Sequence, residues 1–197
     1  MNLVIIKYNA GNTKSVENAL HRMNIQPIIT DDIELIQKAD KVIFPGVGHA
    51  APTMHFLKEK KLDTIIKNLK QPVLGICLGQ QLMCEFSEEG KVDCLGIFPV
   101  QVKKFDLDTK QYKIPQIGWN SIYDLRSPLF NGLTENSFAY FVHSYYCEIS
   151  PYTIATTDYG HPFSAALHKD NFYAVQFHPE KSGIVGETIL KNFINIK

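Results

Sequence analysis

The segment Gly75-Ile76-Cys77-Leu78-Gly79 places a thiol between two glycines, directly after the apolar run Pro72 to Ile76. Glycines on both sides of a reactive residue permit the sharp strand-to-helix turn of a nucleophile elbow. The N-terminus of the helix that follows would favour the thiolate, which is the nucleophilic form. A thiol nucleophile needs a base to manage protons and a third group to orient that base. Gln176-Phe177-His178-Pro179-Glu180 offers both. Pro179 biases His178 toward extended geometry, in which positions i and i+2 face the same way, so the Glu180 carboxylate can reach the imidazole. Taken singly, Cys77 could be a small buried thiol and His178-Pro179-Glu180 a polar turn. Together they read as a Cys77, His178, Glu180 triad.

Thiolate attack on an amide carbonyl creates an oxyanion, which requires preorganised N–H donors. The Leu78 N–H, one residue past the nucleophile, is one candidate. The second is Val47, in the turn Pro45-Gly46-Val47-Gly48, where two glycines allow unusual backbone geometry and close approach to a substrate.

These residues must be positioned by the elements around them. The first half alternates strand-like runs with amphipathic stretches: Leu3 to Ile6, Thr13 to Met23, Pro27 to Thr30, Ile33 to Ala39 and Val42 to Phe44. This is βαβ rhythm. A helical stretch from Ala50 to Leu69 leads into the strand Pro72 to Ile76, and a further helix carrying Cys84 should follow Cys77. From Val92 the pattern becomes a mixed-sheet region. Its strands are read at 96–105, 116–123, 138–148, 152–157, 163–168 and 172–177, before a closing helix with Val185, Ile189 and Phe193 on one stripe. Parallel sheets place ligands beyond the carboxyl ends of their strands, so the residues just after Phe44 and Ile76 are where chemistry should sit.

With 197 residues, 45% hydrophobic and 20% charged, the chain is expected to form a single folded domain over 1–197. Twenty basic and twenty acidic side chains cancel, which speaks against nucleic acid or an anionic membrane as partner. Apolar runs fall well short of the roughly 20 residues that cross a bilayer, and the start lacks a signal-peptide pattern. A soluble cytoplasmic protein is expected. Cys84, Cys94 and Cys147 form no C-x-x-C pair and are read as structural thiols. His21, His49, His55, His161 and His168 lack metal-ligand spacing, so no metal and no cofactor are expected. The Lys58 to Lys61 cluster is read as a solvated helix face.

With GICLGQQ around Cys77, QFHPEKS around His178 and Glu180, and PGVG at 45–48, the chain resembles the class I (triad) glutamine amidotransferases over its whole length. PGVG, together with Pro115-Gln116-Ile117-Gly118-Trp119-Asn120 and Tyr140-Phe141-Val142-His143-Ser144-Tyr145, is similar to the glutaminase subunits of imidazole glycerol phosphate synthases. The resemblance implies a flavodoxin-like, three-layer α/β domain with a mixed, mostly parallel central sheet. It implies hydrolysis of L-glutamine through a thioester on Cys77, with His178 as acid and base and Glu180 as its orienter. It further implies that Gln81 and Glu89 hold the amino-acid end of glutamine, with the backbone around Gly48, Ser144 and Tyr145 holding the remainder. The implied partner is a (β/α)₈ cyclase that receives the ammonia in a heterodimer and works in histidine biosynthesis. Asn12, Trp119 and Tyr140 match positions near that interface, although Trp119 could equally be a core residue. The Val47 peptide would be the element that turns when the partner is occupied.

The chain departs from the common pattern at Lys7 and Asn9, where the opening often reads Asp-Tyr-Gly, at Gln80 for methionine, and at Gln116-Ile117 for His-Met. None of these removes a triad or glutamine-binding position. Two rival readings are a related amidotransferase feeding another synthase and a non-catalytic scaffold of the same fold. The intact triad residues oppose the second.

Overall fold

The computed structural model describes residues 1–8 and 12–196. Asn9, one of the departures from the family pattern, lies outside the described residues. The elements run β1 (Leu3–Ile6), α1 (Thr13–Arg22), β2 (Ile28–Thr30), α2 (Ile33–Lys38), β3 (Lys41–Gly46), α3 (Ala50–Glu59), α4 (Leu62–Lys67), β4 (Val73–Cys77), α5 (Leu78–Met83), β5 (Phe86–Ser87), β6 (Val92–Asp93), β7 (Gln101–Lys104), β8 (Gln116–Ile122), β9 (Ser137–His143), β10 (Tyr145–Cys147), β11 (Thr153–Asp158), β12 (Pro162–Lys169), β13 (Phe172–Val175) and α6 (Gly183–Asn195).

The main sheet has the strand order β11-β12-β13-β4-β3-β1-β2. Its β2-β1-β3-β4-β13 portion is parallel, while β12 and β11 are antiparallel. Strand alternation sorts the side chains to two faces. Val4, Ile6, Val42 and Phe44 pack with Ile36, Met54, Leu57, Ile66 and Leu82 on the side of α2 to α5. Leu3, Ile5, Ile43 and Leu74 pack with Val16, Leu20, Ile189 and Phe193 of α1 and α6 on the other. The expected mixed, mostly parallel sheet between helical layers is the architecture found. Two further units stand beside it, a small sheet of order β10-β7-β5-β6 and the antiparallel pair β8·β9.

Several expectations change on inspection. The stretch read as one helix from Ala50 to Leu69 breaks at Lys61, which is left-handed at φ 58°. On an unbroken helix the five-residue step from Leu57 to Leu62 would turn them about 140° apart. Both are nevertheless buried in the same core, and the break is what lets each face it. Cys84 does not share a helix with Cys77, because α5 stops at Met83. The carbonyls of Leu82 and Met83 accept from the Leu95, Ile97 and Phe98 amides instead of from continuing helix. For the same reason the strand read from Gly96 shortens to β7. The run 138–148 divides at Ser144 into β9 and β10, which belong to different sheets. Among the described residues no helix is long and apolar enough to cross a membrane.

Candidate active site

Strands β3 and β4 run in register to their ends, where Gly46 pairs with Cys77. Both chemistry-bearing segments therefore emerge side by side at the carboxyl edge of the sheet. Cys77 has φ 54° and ψ −109°, outside the ordinary regions for an L-residue, and caps the start of α5. Such a conformation survives only where packing over-determines it. Here Gly79 does so: a Cβ at that position would collide with the Phe44 carbonyl oxygen, so only glycine lets α5 seat so closely on β3.

His178 follows β13, next to β4 in the sheet. Its Nδ1 lies 2.8 Å from Glu180 Oε1, and both side chains are buried. The sequence expected this contact, but for a different reason. His178 itself is extended, at φ −99° and ψ 96°, yet Pro179 opens a 3-10 turn over Pro179–Lys181 that swings the carboxylate back to the ring. With Nδ1 engaged by Glu180, the other ring nitrogen is the one available to Cys77. Burial opposes a charge on His178, but its hydrogen bond to Cys77, the bond to Glu180 and the charges of both outweigh it and lift the ring to about 10. That lift favours the charged form of His178 beside the sulfur, the setting in which thiolate nucleophiles operate.

A cavity of about 280 Å³ opens over the sulfur, with Val47, Gly48, Cys77, Leu78, Gln81, Glu89, Ser144, Tyr145 and His178 among its lining residues. Thus all the residues singled out for nucleophile, base, oxyanion donors and glutamine contacts meet here, with Glu180 directly behind His178. Gly48 sits at φ 123°, a conformation open to glycine alone. The Gln81 amide donates both its hydrogens within the protein, to Tyr145 O and to Gln176 Oε1, each at 2.9 Å. That leaves the Gln81 carbonyl oxygen as an acceptor for whatever enters. Glu89 is half-buried, and its Oε2 accepts from the Ala50 amide at 2.8 Å.

Four residues that the sequence reading passed over also shape the site. Gln176 is fully buried and places its Nε2 3.7 Å from Cys77 Sγ while holding Gln81. Its spacing of two from His178 on an extended segment was a readable signal. Ser182 Oγ donates to His178 O at 2.6 Å and accepts from Tyr140 N at 2.9 Å, tying the turn to β9. His143 lies with Nδ1 2.7 Å from the Tyr145 carbonyl oxygen, so Nδ1 carries the proton. Burial holds that ring neutral by pushing it down to about 4. Tyr8, just past β1, donates its hydroxyl hydrogen to the Pro45 carbonyl. Ser182 and His143 lie within QFHPEKS and the Tyr140 to Tyr145 run, but their spacing alone assigns neither of them a role.

The whole of residues 4–196 matches the family model for class-I glutamine amidotransferases. The chain belongs to that family. Among curated relatives, "Imidazole glycerol phosphate synthase subunit HisH" of Bacteroides fragilis strain YCH46 is 60% identical, over 100% of both chains. The protein of the same name from Pasteurella multocida strain Pm70 is 47% identical, over 100% of this chain and 99% of its own. Among solved structures, PurLQS from Thermotoga maritima superposes with a TM-score of 0.73 at 14% identity, covering 98% of this chain and 97% of that one. At that identity the likeness establishes the amidotransferase fold alone.

The candidate interface residues are exposed or partly so. Strict alternation along β8·β9 puts Ile117, Trp119, Phe138, Tyr140 and Val142 on the outward face, and the first three are among the most exposed large apolar side chains. Trp119 is 55% exposed, which rules out the core reading, and its ring meets Tyr140 edge-on at 5.9 Å. Asn12 is half-buried at the start of α1, where its side chain makes no capping bond. Of the departures, Gln80 is buried and donates to Ser164 O, Gln116 is buried opposite His143, and Lys7 is exposed. None of the three lines the cavity. Cys84 and Cys147 are buried thiols with sulfurs 3.5 Å apart. Among the described residues no cluster of three or more His, Cys, Asp or Glu could hold a metal.

Proposed function

We propose that this amidotransferase is the glutaminase subunit of an imidazole glycerol phosphate synthase, hydrolysing L-glutamine on Cys77 and delivering ammonia to a (β/α)₈ cyclase in a heterodimer. One observation carries the chemistry: Cys77, the His178 and Glu180 pair, and the Glu89 and Gln81 acceptors all meet at one cavity of about 280 Å³. Full-length identity to relatives bearing that subunit's name supports the pathway.

In the proposed cycle the α-ammonium of glutamine binds Glu89 and the Gln81 carbonyl, because charge-assisted acceptors suit a cation. The backbone at Gly48, Ser144 and Tyr145 holds the rest. Cys77 sulfur attacks the side-chain carboxamide carbon, and the resulting oxyanion is met by the peptide N–H groups of Leu78 and Val47. His178 gives its proton to the leaving nitrogen, the C–N bond breaks, and ammonia departs from a γ-glutamyl thioester. The neutral ring then takes a proton from water, hydroxide attacks the thioester carbon, and glutamate leaves as the sulfur regains its electron pair. The sum is glutamine plus water giving glutamate plus ammonia.

Ammonia freed into bulk water would be diluted and protonated, so the cavity should open onto the partner. The outward stripe of β8·β9 suits that role, since Val142 belongs both to the stripe and to the cavity wall. Exposed aromatic residues are the usual anchors of such interfaces. Trp119, Tyr140 and Asn12 are accordingly assigned to cyclase contact. The expected setting is cytoplasmic.

The test is glutamate release by the purified chain, alone and mixed with a matching cyclase and its nucleotide ligand, with Cys77→Ala as control. Strong stimulation that vanishes in the control is expected. Steady activity without stimulation would point to a different synthase, and no activity in any mixture would overturn the enzymatic reading.

A further inference from the structure

The turn proposed to supply an oxyanion donor has one fixed end and one free end. On one side, β3 is laddered to β4 as far as Gly46 and Cys77. On the other, β1 pairs with β3 only through Ile5 and Ile43. Beyond that pair the described residues of β1 offer β3 no further ladder. The Tyr8 hydroxyl, two residues past the end of β1, takes that place by donating to Pro45 O. The phenol is buried, with its ring 5.5 Å from Phe44, and burial raises its pKa, so it remains a donor at any working pH.

Gly46 is wedged against this hydroxyl. A Cβ there would come within 2.5 Å of Tyr8 Oη, 2.7 Å of Leu78 Cβ and 2.9 Å of the Gly79 amide. The Pro45–Gly46 peptide is thus clamped between Tyr8 and the nucleophile elbow. Freedom to turn begins only at Val47, which is 38% exposed, and at Gly48.

We propose that Tyr8 is a positioning residue for glutamine hydrolysis: by pinning the Pro45 carbonyl it fixes the base of the Pro45-Gly46-Val47-Gly48 turn, so that the Val47 peptide is presented to the oxyanion at the right distance from Cys77. This rests on the reading of that turn as part of the oxyanion site.

The test is Tyr8→Phe, which keeps the ring and removes the hydroxyl, assayed in complex with the cyclase. Loss of one neutral buried hydrogen bond scales an equilibrium by roughly fivefold, so kcat should fall about fivefold to tenfold. The KM for glutamine should stay within twofold, since Tyr8 does not line the cavity. Alkylation of Cys77 by iodoacetamide forms no oxyanion and should proceed at the unaltered rate. An unchanged kcat, or alkylation slowed in parallel with kcat, would overturn the proposal. Val47→Pro, which deletes the donor itself, separates the two levels. If it lowers kcat while Tyr8→Phe does not, Tyr8 is not a positioning residue; if it leaves kcat intact, the oxyanion reading is wrong and the proposal falls with it.

Discussion

Replacing Glu180 with glutamine isolates the electrostatic part of the proposed triad, because the amide has the carboxylate's shape without its charge. In the structure Glu180 Oε1 accepts from His178 Nδ1 at 2.8 Å, while Glu180 Oε2 has no partner among the described residues. Nothing else therefore competes to orient the new amide, and the Nδ1 hydrogen will select its oxygen. The ring keeps its tautomer and loses only the ionic component of the bond. Hydrogen bonds to charged groups contribute about 1.5–3 kcal/mol and neutral ones about 1, so the loss is roughly 1–2 kcal/mol. Expressed on the barrier, that is about 5- to 30-fold in kcat.

The pH dependence fixes the sign. His178 is lifted from 6.5 to about 10, with the Cys77 hydrogen bond and then Glu180 outweighing burial. A raised folded-state value gives stability that is complete below the unfolded value of about 6.5 and fades as pH climbs through the folded value. Without the Glu180 charge the imidazolium deprotonates earlier, so the alkaline limb of the kcat profile should move down. The deficit in thermal stability relative to the parent should be largest near pH 6.5 and shrink toward pH 10. Glutamate production measured in the cyclase complex from pH 6 to 10, with melting curves at the same pH values, reads both. Parent-like kcat across that range would refute the electrostatic account. A loss of about 10⁴, the size that follows a misplaced tautomer, would refute the claim that the amide orients by its oxygen.

Three further outcomes follow. Glu89→Gln should raise the KM for glutamine about 10- to 100-fold by removing a charged acceptor, with kcat little changed; a fall in kcat alone would contradict its placement on the amino-acid end. Trp119→Ala should weaken cyclase binding at least about 30-fold in calorimetric titration, as loss of an aromatic anchor worth about 2 kcal/mol requires, without lowering the melting temperature; unaltered affinity would remove β8·β9 from the interface. Gly79→Ala should destabilise the chain by about 3 kcal/mol, because the added methyl meets the Phe44 carbonyl oxygen; a melting temperature within 2 °C of the parent would show that α5 can shift at no cost.

The parts of the site legible in the sequence were those whose chemistry constrains near neighbours. Two glycines two residues either side of Cys77, and a carboxylate two residues from His178, are local patterns, and the structure brings them together. Features that depend on distant packing were not legible. The break at Lys61 follows from Leu57 and Leu62 sharing a core, and the shortness of α5 follows from the 95–98 loop capping its carbonyls. The split at Ser144 arises because one run of β-forming residues serves two sheets. An aromatic residue in an alternating strand fits either face equally well, so Trp119 could be placed only by seeing which face β8 presents.

The distribution of rigidity within the site follows from these same contacts. Cys77 holds a backbone conformation that costs on the order of 1–3 kcal/mol, and close glycine packing is gathered around it. Gly46, Gly75 and Gly79 each lie where a single Cβ would come within about 3 Å of the elbow or of β3. The base is held as firmly, through Glu180, Ser182 and the Tyr140 carbonyl that accepts from His178 N. Against this, the Val47 end of the turn has open space and a glycine at φ 123° beside it. The proposed nucleophile and base are thus set in advance, and the proposed oxyanion donor is the component left with room to move. A partner that governs glutaminase activity would need to act there, since shifting either of the other two would mean breaking the core.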